Sequence, residues 1–317
     1  MRVIVFGASG IQGAAQVNVL ARAKENYDIV AVSRSPKPLT IAGKKIETVS
    51  LDFTDHDAVA SLLKNADRIL LNLPSTSFNP SPPIIAAVKA IAMAAKKGGV
   101  GLIVFNTSMP VAEVKQDIKA QDDRREMRDI LRESVVPVIS IQPVCYLDNL
   151  LEGWALPPIR DNNTVRYCHK PDLDVSWICH HDVAQLMVSA MNHPQLAGRD
   201  IPVGGAETVR LPALTEKLSR AWKRDLTYDC QTVADFCDKI SKTMEGRGLD
   251  NEKIVKQMFK AYTYYNESDT KPFVVDMQPV LKELEVELTP IEEWARLNGP
   301  EGWVEKGKGG ELPSVLY

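Results

Sequence analysis

Gly7, Gly10 and Gly13 stand three residues apart in the stretch Gly7-Ala8-Ser9-Gly10-Ile11-Gln12-Gly13, directly after the apolar residues Val3, Ile4, Val5 and Phe6. The spacing suits the holding of a dinucleotide pyrophosphate. Gly7 permits a tight turn, Gly10 lets the backbone approach phosphate, and Gly13 allows a helix to pack closely on the strand before it. The amides of Ser9, Gly10, Ile11, Gln12 and Gly13 then lie at a helix start, where free N–H groups and the helix dipole attract anions. A bare glycine triplet is a weak signal; one set between a strand and a helix is specific. The bland alternative is a glycine-rich turn that binds nothing.

The end of the second strand chooses between nicotinamide cofactors. An NAD site places Asp or Glu there for the ribose hydroxyls. Here the order is Val32-Ser33-Arg34 with Lys37 close behind, and Asp28 lies at the wrong end of the strand. A guanidinium can pair with a 2′-phosphate and stack on adenine, so NADP(H) is the expected cofactor. Otherwise Arg34 is a solvated surface charge. Asp52, followed by Phe53, ends the third strand and either accepts a hydrogen bond from the adenine amino group or caps the next helix. Asn72-Leu73-Pro74 and Asn106 end the next two strands, where a ligand crevice opens in such sheets.

Hydride transfer asks the protein mainly to position the acceptor and exclude water. Asn106, Thr107, Ser108 and Tyr146 are candidates for polarising an acceptor. Ser108 would donate its hydroxyl to a carbonyl oxygen, and Tyr146 would reach the crevice from after the sixth strand; each is otherwise an ordinary loop or packing residue. No metal is expected. Cys168-His169 and Cys179-His180-His181 are chain neighbours, whose side chains diverge rather than chelate together.

These residues need an alternating framework, and the chain supplies one. Strands are expected at 2–6, 28–32, 46–51, 68–72, 100–105 and 136–141. Helices are expected at 11–24, 55–64, 84–97 and 112–134, the last highly charged, and the proline-rich stretch 74–83 reads as a loop. Strands alternating with helices mean an α/β fold, a doubly wound parallel Rossmann sheet. This domain spans 1–150. A smaller, mostly C-terminal α/β lobe occupies 151–317 and returns a strand or helix to the main sheet. Short elements there include strands at 164–168, 175–178 and 200–203 and a helix at 181–191, with further helices between 211 and 297.

The bulk composition excludes several classes. Of 317 residues, 38 are basic and 41 acidic, for a net charge of −3, which offers no footprint for nucleic acid or an anionic membrane. No apolar run approaches the roughly 20 residues a bilayer requires. The initial apolar run stops at a glycine after four residues, unlike a signal peptide. Cys145, Cys168, Cys179, Cys230 and Cys237 are odd in number and scattered, which fits buried thiols in a reducing cytoplasm.

Together the motifs resemble the NmrA-like group of atypical short-chain dehydrogenases/reductases. The resemblance is carried by Gln12 before Gly13, by Gln142-Pro143 through Asp148-Asn149-Leu150-Leu151, and by Trp177-Ile178 followed by Asp182-Val183-Ala184. It fades after about residue 230. It implies either an NADPH-dependent reductase of small aromatic or quinone-like molecules, or a regulator that senses NADP(H) without turnover. The chain departs from conventional short-chain reductases, in which Tyr-x-x-x-Lys exchanges a proton with the substrate oxygen. None of its eight tyrosines has lysine four positions on. Some members keep a lysine in the helix after the fifth strand, and its nearest counterpart here is Arg124. That residue either orients a substrate or is an exposed charge. Two readings follow: a reductase acting on a small apolar carbonyl, quinone or imine-like compound, and a sensor that passes cofactor state to a protein partner.

Overall fold

In the computed structural model, which describes residues 1–242 and 250–303, β1 (Arg2–Phe6) turns sharply into α1 (Ile11–Arg22) and the chain returns as β2 (Asp28–Ser33). A short hairpin follows, β3 (Leu39–Ile41) and β4 (Lys44–Ser50), joined through Ala42 and Gly43 with φ of 50° and 77°. β3 is too short to show a period in the sequence. Next come α2 (His56–Leu63), β5 (Arg68–Asn72), α3 (Ser81–Gly98), β6 (Leu102–Asn106), α4 (Lys119–Glu133) and β7 (Val138–Pro143).

Two helix starts differ from expectation. α3 begins at Ser81, so Pro82 and Pro83 lie in its first turn rather than in the loop; proline suits that position because first-turn amides have no helical acceptor. α4 begins at Lys119 rather than 112, because Asp117 takes φ 56°, which no right-handed helix accommodates.

Beyond β7 the chain runs through β8 (Cys145–Tyr146), α5 (Leu156–Asn162), β9 (Thr164–Tyr167) and β10 (Val175–Ile178). It then makes α6 (His180–Met191) and β11 (Asp200–Val203). β12 (Thr208–Val209), α7 (Leu211–Trp222), β13 (Thr227–Cys230), α8 (Val233–Lys242), α9 (Asn251–Glu267), α10 (Gln278–Leu284) and α11 (Ile291–Leu297) complete it. Of the lobe expected over 151–317, residues 243–249 and 304–317 lie outside the described residues.

Two compact units result. The first comprises Met1–Pro143, His180–Val203 and Gln278–Val286. Its eight-stranded sheet has the order β11-β7-β6-β5-β1-β2-β4-β3. Every pairing is parallel except the β3–β4 hairpin. Strand order reverses between β1 and β5, the switch point at which such sheets bind ligands. α1 packs on α6, and α3 packs between α2 and α4. One core cluster joins Ile4, Phe6, Val30, Ile69, Leu71, Val88, Ile91 and Phe105. Near-continuous apolar strands are what a sheet covered on both faces requires.

The second unit comprises Val144–Cys179, Gly204–Met277 and the described residues from Glu287 on. It contains a three-stranded sheet β12-β10-β8 and a two-stranded sheet β13-β9. Its core is aromatic: Tyr167 stacks on Phe236 and on the His169 ring, with Trp154, Trp177, Tyr262 and Phe273 around them.

Candidate functional site

The β1–α1 turn has the geometry of an anion cradle. Gly7 takes φ 71°, and a Cβ there would lie 3.1 Å from the Asn72 carbonyl oxygen. A Cβ on Gly13 would lie 2.3 Å from the Gly7 carbonyl oxygen, so α1 approaches β1 more closely than any side chain allows. At Gly10 the backbone is exposed, with only the Gly7 carbonyl near a built Cβ. α1 carries no side-chain cap, which leaves its first-turn amides for a ligand. α2 by contrast is capped, Asp55 accepting from the Ala58 N–H at 2.9 Å.

Around this turn the strand ends line up. Ser33 ends β2 buried, and Arg34 beyond it is exposed, as is Lys37. Asp52 does not cap α2: its Oδ1 accepts from the Thr54 N–H and hydroxyl at 2.9 and 2.8 Å. Those bonds, with a smaller contribution from Arg34, hold its carboxyl below the usual range. Phe53 packs against Phe6, ring centroids 5.8 Å apart. On the other side of the switch point Asn72 and Asn106 are register partners at the ends of β5 and β6. Leu73 is buried and Pro74 exposed.

Asn72, Asn106, Gln12 and Ser108 form a single hydrogen-bonded chain together with Gln16, which the sequence reading missed. Asn72 Nδ2 donates to the Phe6 carbonyl at 2.9 Å and to Gln16 Oε1 at 2.7 Å. Gln16 Nε2 returns a bond to Asn72 Oδ1 at 2.9 Å. Asn106 Nδ2 donates to Asn72 Oδ1 at 3.2 Å and to Gln12 Oε1 at 2.8 Å. The Ser108 N–H donates to Asn106 Oδ1 at 2.8 Å, and Ser108 Oγ to Gln12 Oε1 at 2.9 Å. The signal for Gln16 was its position one helical turn after Gln12, on the same face of α1. Ser108 takes φ 62°, a conformation uncommon for any residue with a side chain. Thr107 is buried, its hydroxyl donating to the Met109 carbonyl at 2.7 Å.

Arg124 is not an exposed charge. It is fully buried, and its Nη2 donates to the carbonyls of Leu73 and Pro74 at 3.1 and 3.0 Å. Other polar residues of α4 also face inward. Asp123 accepts from Ser81 at 2.6 Å and from Lys119 at 2.7 Å, and Arg128 meets Asp200 at 2.7 Å. The clue was spacing: Arg124, Met127, Arg128 and Leu131 share one helical face. Tyr146 belongs to the second unit, buried on β8 opposite Ile178 of β10.

Among the described residues no three His, Cys, Asp or Glu side chains gather as a metal site requires. His169 lies in the aromatic core, where burial lowers its pKa to about 4. Burial likewise raises the thiols of Cys145 and Cys168, and none of the five cysteines forms a disulfide.

A switched parallel sheet, a glycine turn at its centre and an uncapped helix start define a protein of the Rossmann class. The chain belongs to the NmrA-like family, whose model matches residues 1–295. It is 29% identical over 227 residues to the (4-alkanoyl-5-oxo-2,5-dihydrofuran-3-yl)methyl phosphate reductase of Streptomyces griseus, covering 72% of this chain and 76% of the relative. Among solved structures it resembles an NADPH-dependent quinone oxidoreductase of Escherichia coli complexed with NADPH, with TM-score 0.70, 18% identity and 93% and 98% of the two chains covered. It is equally similar to NmrA, a negative transcriptional regulator in complex with NAD, with TM-score 0.71, 17% identity and coverage of 93% and 94%. No helix among the described residues is long and apolar enough to cross a membrane.

Proposed function

We propose that this protein is an NADPH-dependent reductase of a small, largely apolar carbonyl, quinone or imine-like compound. The observation that carries the reading is the open cradle. Gly10 is exposed beside an uncapped α1 at the switch point, and Arg34 is exposed where an NAD site would have a carboxylate. The residues present fit the dinucleotide. The Ser9, Ile11, Gln12 and Gly13 amides would hold the pyrophosphate, since the Ala8 and Gly10 N–H groups already donate to the Val32 and Gly7 carbonyls at 3.0 and 2.9 Å. Ser33, Arg34 and Lys37 would hold the 2′-phosphate. Asp52 and Phe53 would border the adenine; Asn72, Leu73, Pro74 and Asn106 would border the nicotinamide half.

When bound, the nicotinamide supplies a hydride. The chain's own contribution is placement and exclusion of water, since a Tyr-x-x-x-Lys pair is absent and Arg124 stays protonated near neutral pH. The furanone phosphate reductase and quinone oxidoreductase relatives support turnover. The buried commitment of Arg124 to two carbonyls supports the second reading, a sensor like the regulator NmrA, whose partner would be a protein.

Calorimetry on the protein and on Gly10→Asp tests the nucleotide site. Asp puts a side chain and a negative charge where phosphate must approach, so affinity should fall a hundredfold or more, about 3 kcal/mol. Unchanged binding in a folded variant removes the proposal. Tight NADPH binding without oxidation above background, across quinones, aldehydes, ketones and imines, would shift the reading to the sensor.

A further inference from the structure

The amide chain has a direction, and two main-chain groups fix it. The Phe6 carbonyl can only accept, so the nitrogen of the Asn72 amide must face it and Oδ1 must face Asn106. The Ser108 N–H can only donate, so Asn106 Oδ1 must face it and Nδ2 must turn toward Asn72 and Gln12. The assignments made from the two ends agree where Asn106 Nδ2 meets Asn72 Oδ1. Gln12 therefore presents Oε1 to Asn106, and that same oxygen lies 2.9 Å from Ser108 Oγ. A serine hydroxyl has one proton, and here it is committed to Gln12.

Two groups remain. Ser108 Oγ keeps its lone pairs and has no proton for a carbonyl oxygen. Gln12 Nε2 keeps its N–H groups, with no partner among the described residues. A donor and an acceptor side by side are the complement of a primary carboxamide, which offers C=O and NH2 together. On the nucleotide reading above, both residues belong to the nicotinamide half of the site. Gln12 follows the glycine turn, and Ser108 follows β6, across the switch point from Arg34.

We infer that Gln12 Nε2 and Ser108 Oγ read the nicotinamide carboxamide, Gln12 donating to its oxygen and Ser108 accepting from its nitrogen. The inference rests on the nicotinamide nucleotide reading above, and it removes Ser108 as a source of the substrate's proton. Asn106 is the positioning residue, holding the Ser108 N–H in its left-handed conformation while fixing the sense of Gln12.

The test is calorimetry with the full chain, using NADP⁺ and its 3-acetylpyridine analogue, in which a methyl ketone replaces the carboxamide and no N–H remains. The analogue should bind about tenfold more weakly than NADP⁺, the loss of one hydrogen bond. In Ser108→Ala, NADP⁺ should weaken until the two ligands differ by less than about twofold. Ser108→Gly removes the same hydroxyl from a backbone that glycine suits, and so gives the same readout in a chain that folds readily. A tenfold gap that survives in either variant, with NADP⁺ still bound, overturns the carboxamide assignment alone. Failure of the unaltered protein to bind NADP⁺ overturns it together with the nucleotide reading.

Discussion

Arg34 follows β2 with its side chain in solvent and its main-chain carbonyl taken by the Ser50 hydroxyl at 2.9 Å. The backbone is thus anchored to the neighbouring strand while the guanidinium remains available. Arg34→Ala should therefore weaken NADPH by roughly tenfold to a hundredfold, a charge-assisted contact of about 1.5–3 kcal/mol. NADH, which has no 2′-phosphate, should bind as before. Equal weakening of both, measured by calorimetry, would make Arg34 structural and withdraw the preference for NADPH. At this scale the sequence was informative wherever the backbone does the work. Gly7 and Gly13 declare themselves because a turn and a close approach exclude other residues. Side-chain partnerships were less legible: nothing in the spacing of Gln12, Asn72, Asn106 and Ser108 says that four strand-end and helix-start residues share one chain of bonds.

α4 shows how an element can carry charge inward. A run such as Gln121-Asp122-Asp123-Arg124-Arg125-Glu126 resembles a solvated face, yet Gln121, Asp123, Arg124 and Arg128 are all buried. Burial of a guanidinium requires compensating acceptors, and Arg124 finds them in the carbonyls of Leu73 and Pro74. Arg124 thus ties α4 to the residues that follow β5. Arg124→Met keeps length and apolar packing but leaves both carbonyls without this donor, and should destabilise the fold by about 2–4 kcal/mol. Arg124→Lys keeps the charge without the planar fork and should recover only part of that loss. Urea unfolding that places Arg124→Met within about 0.5 kcal/mol of the unaltered protein would show that the tie contributes nothing. The element boundaries missed in the sequence have local causes of the same kind. Prolines that look like loop residues opened α3, and a left-handed Asp117 shortened α4.

On the scale of the molecule, the alternating first 143 residues announced the Rossmann sheet, whereas the order in which the chain revisits it was not legible. β11 adds to the edge of β7, and α10 rejoins the first unit some eighty residues later. A short strand or helix with an apolar side gives no sign of which sheet it will cover. The second unit's core is also a long-range product, since His169, Tyr262 and Phe273 meet across about a hundred residues. That core makes stability depend on pH. His169 is fully enclosed, flanked by the Tyr167, Tyr262 and Phe273 rings. Asn266 Oδ1 lies 3.4 Å from its Nδ1, and the Tyr228 hydroxyl donates to its main-chain carbonyl. Desolvation lowers its pKa from 6.5 to about 4, against a smaller opposing effect of Asn266. Above pH 6.5 the ring is neutral in both folded and unfolded chains and adds no pH dependence. Below it the unfolded chain takes up a proton that the folded chain refuses, so stability falls as pH drops from 6.5 to 4, by about 3 kcal/mol over the interval. His169→Phe keeps an aromatic ring in the stack and removes the titration. Urea unfolding followed by tryptophan fluorescence should give a shallower decline between pH 6.5 and 4 for the variant than for the unaltered protein. Parallel declines, or an NMR titration placing the His169 midpoint near 6.5, would show that the folded core admits the proton after all.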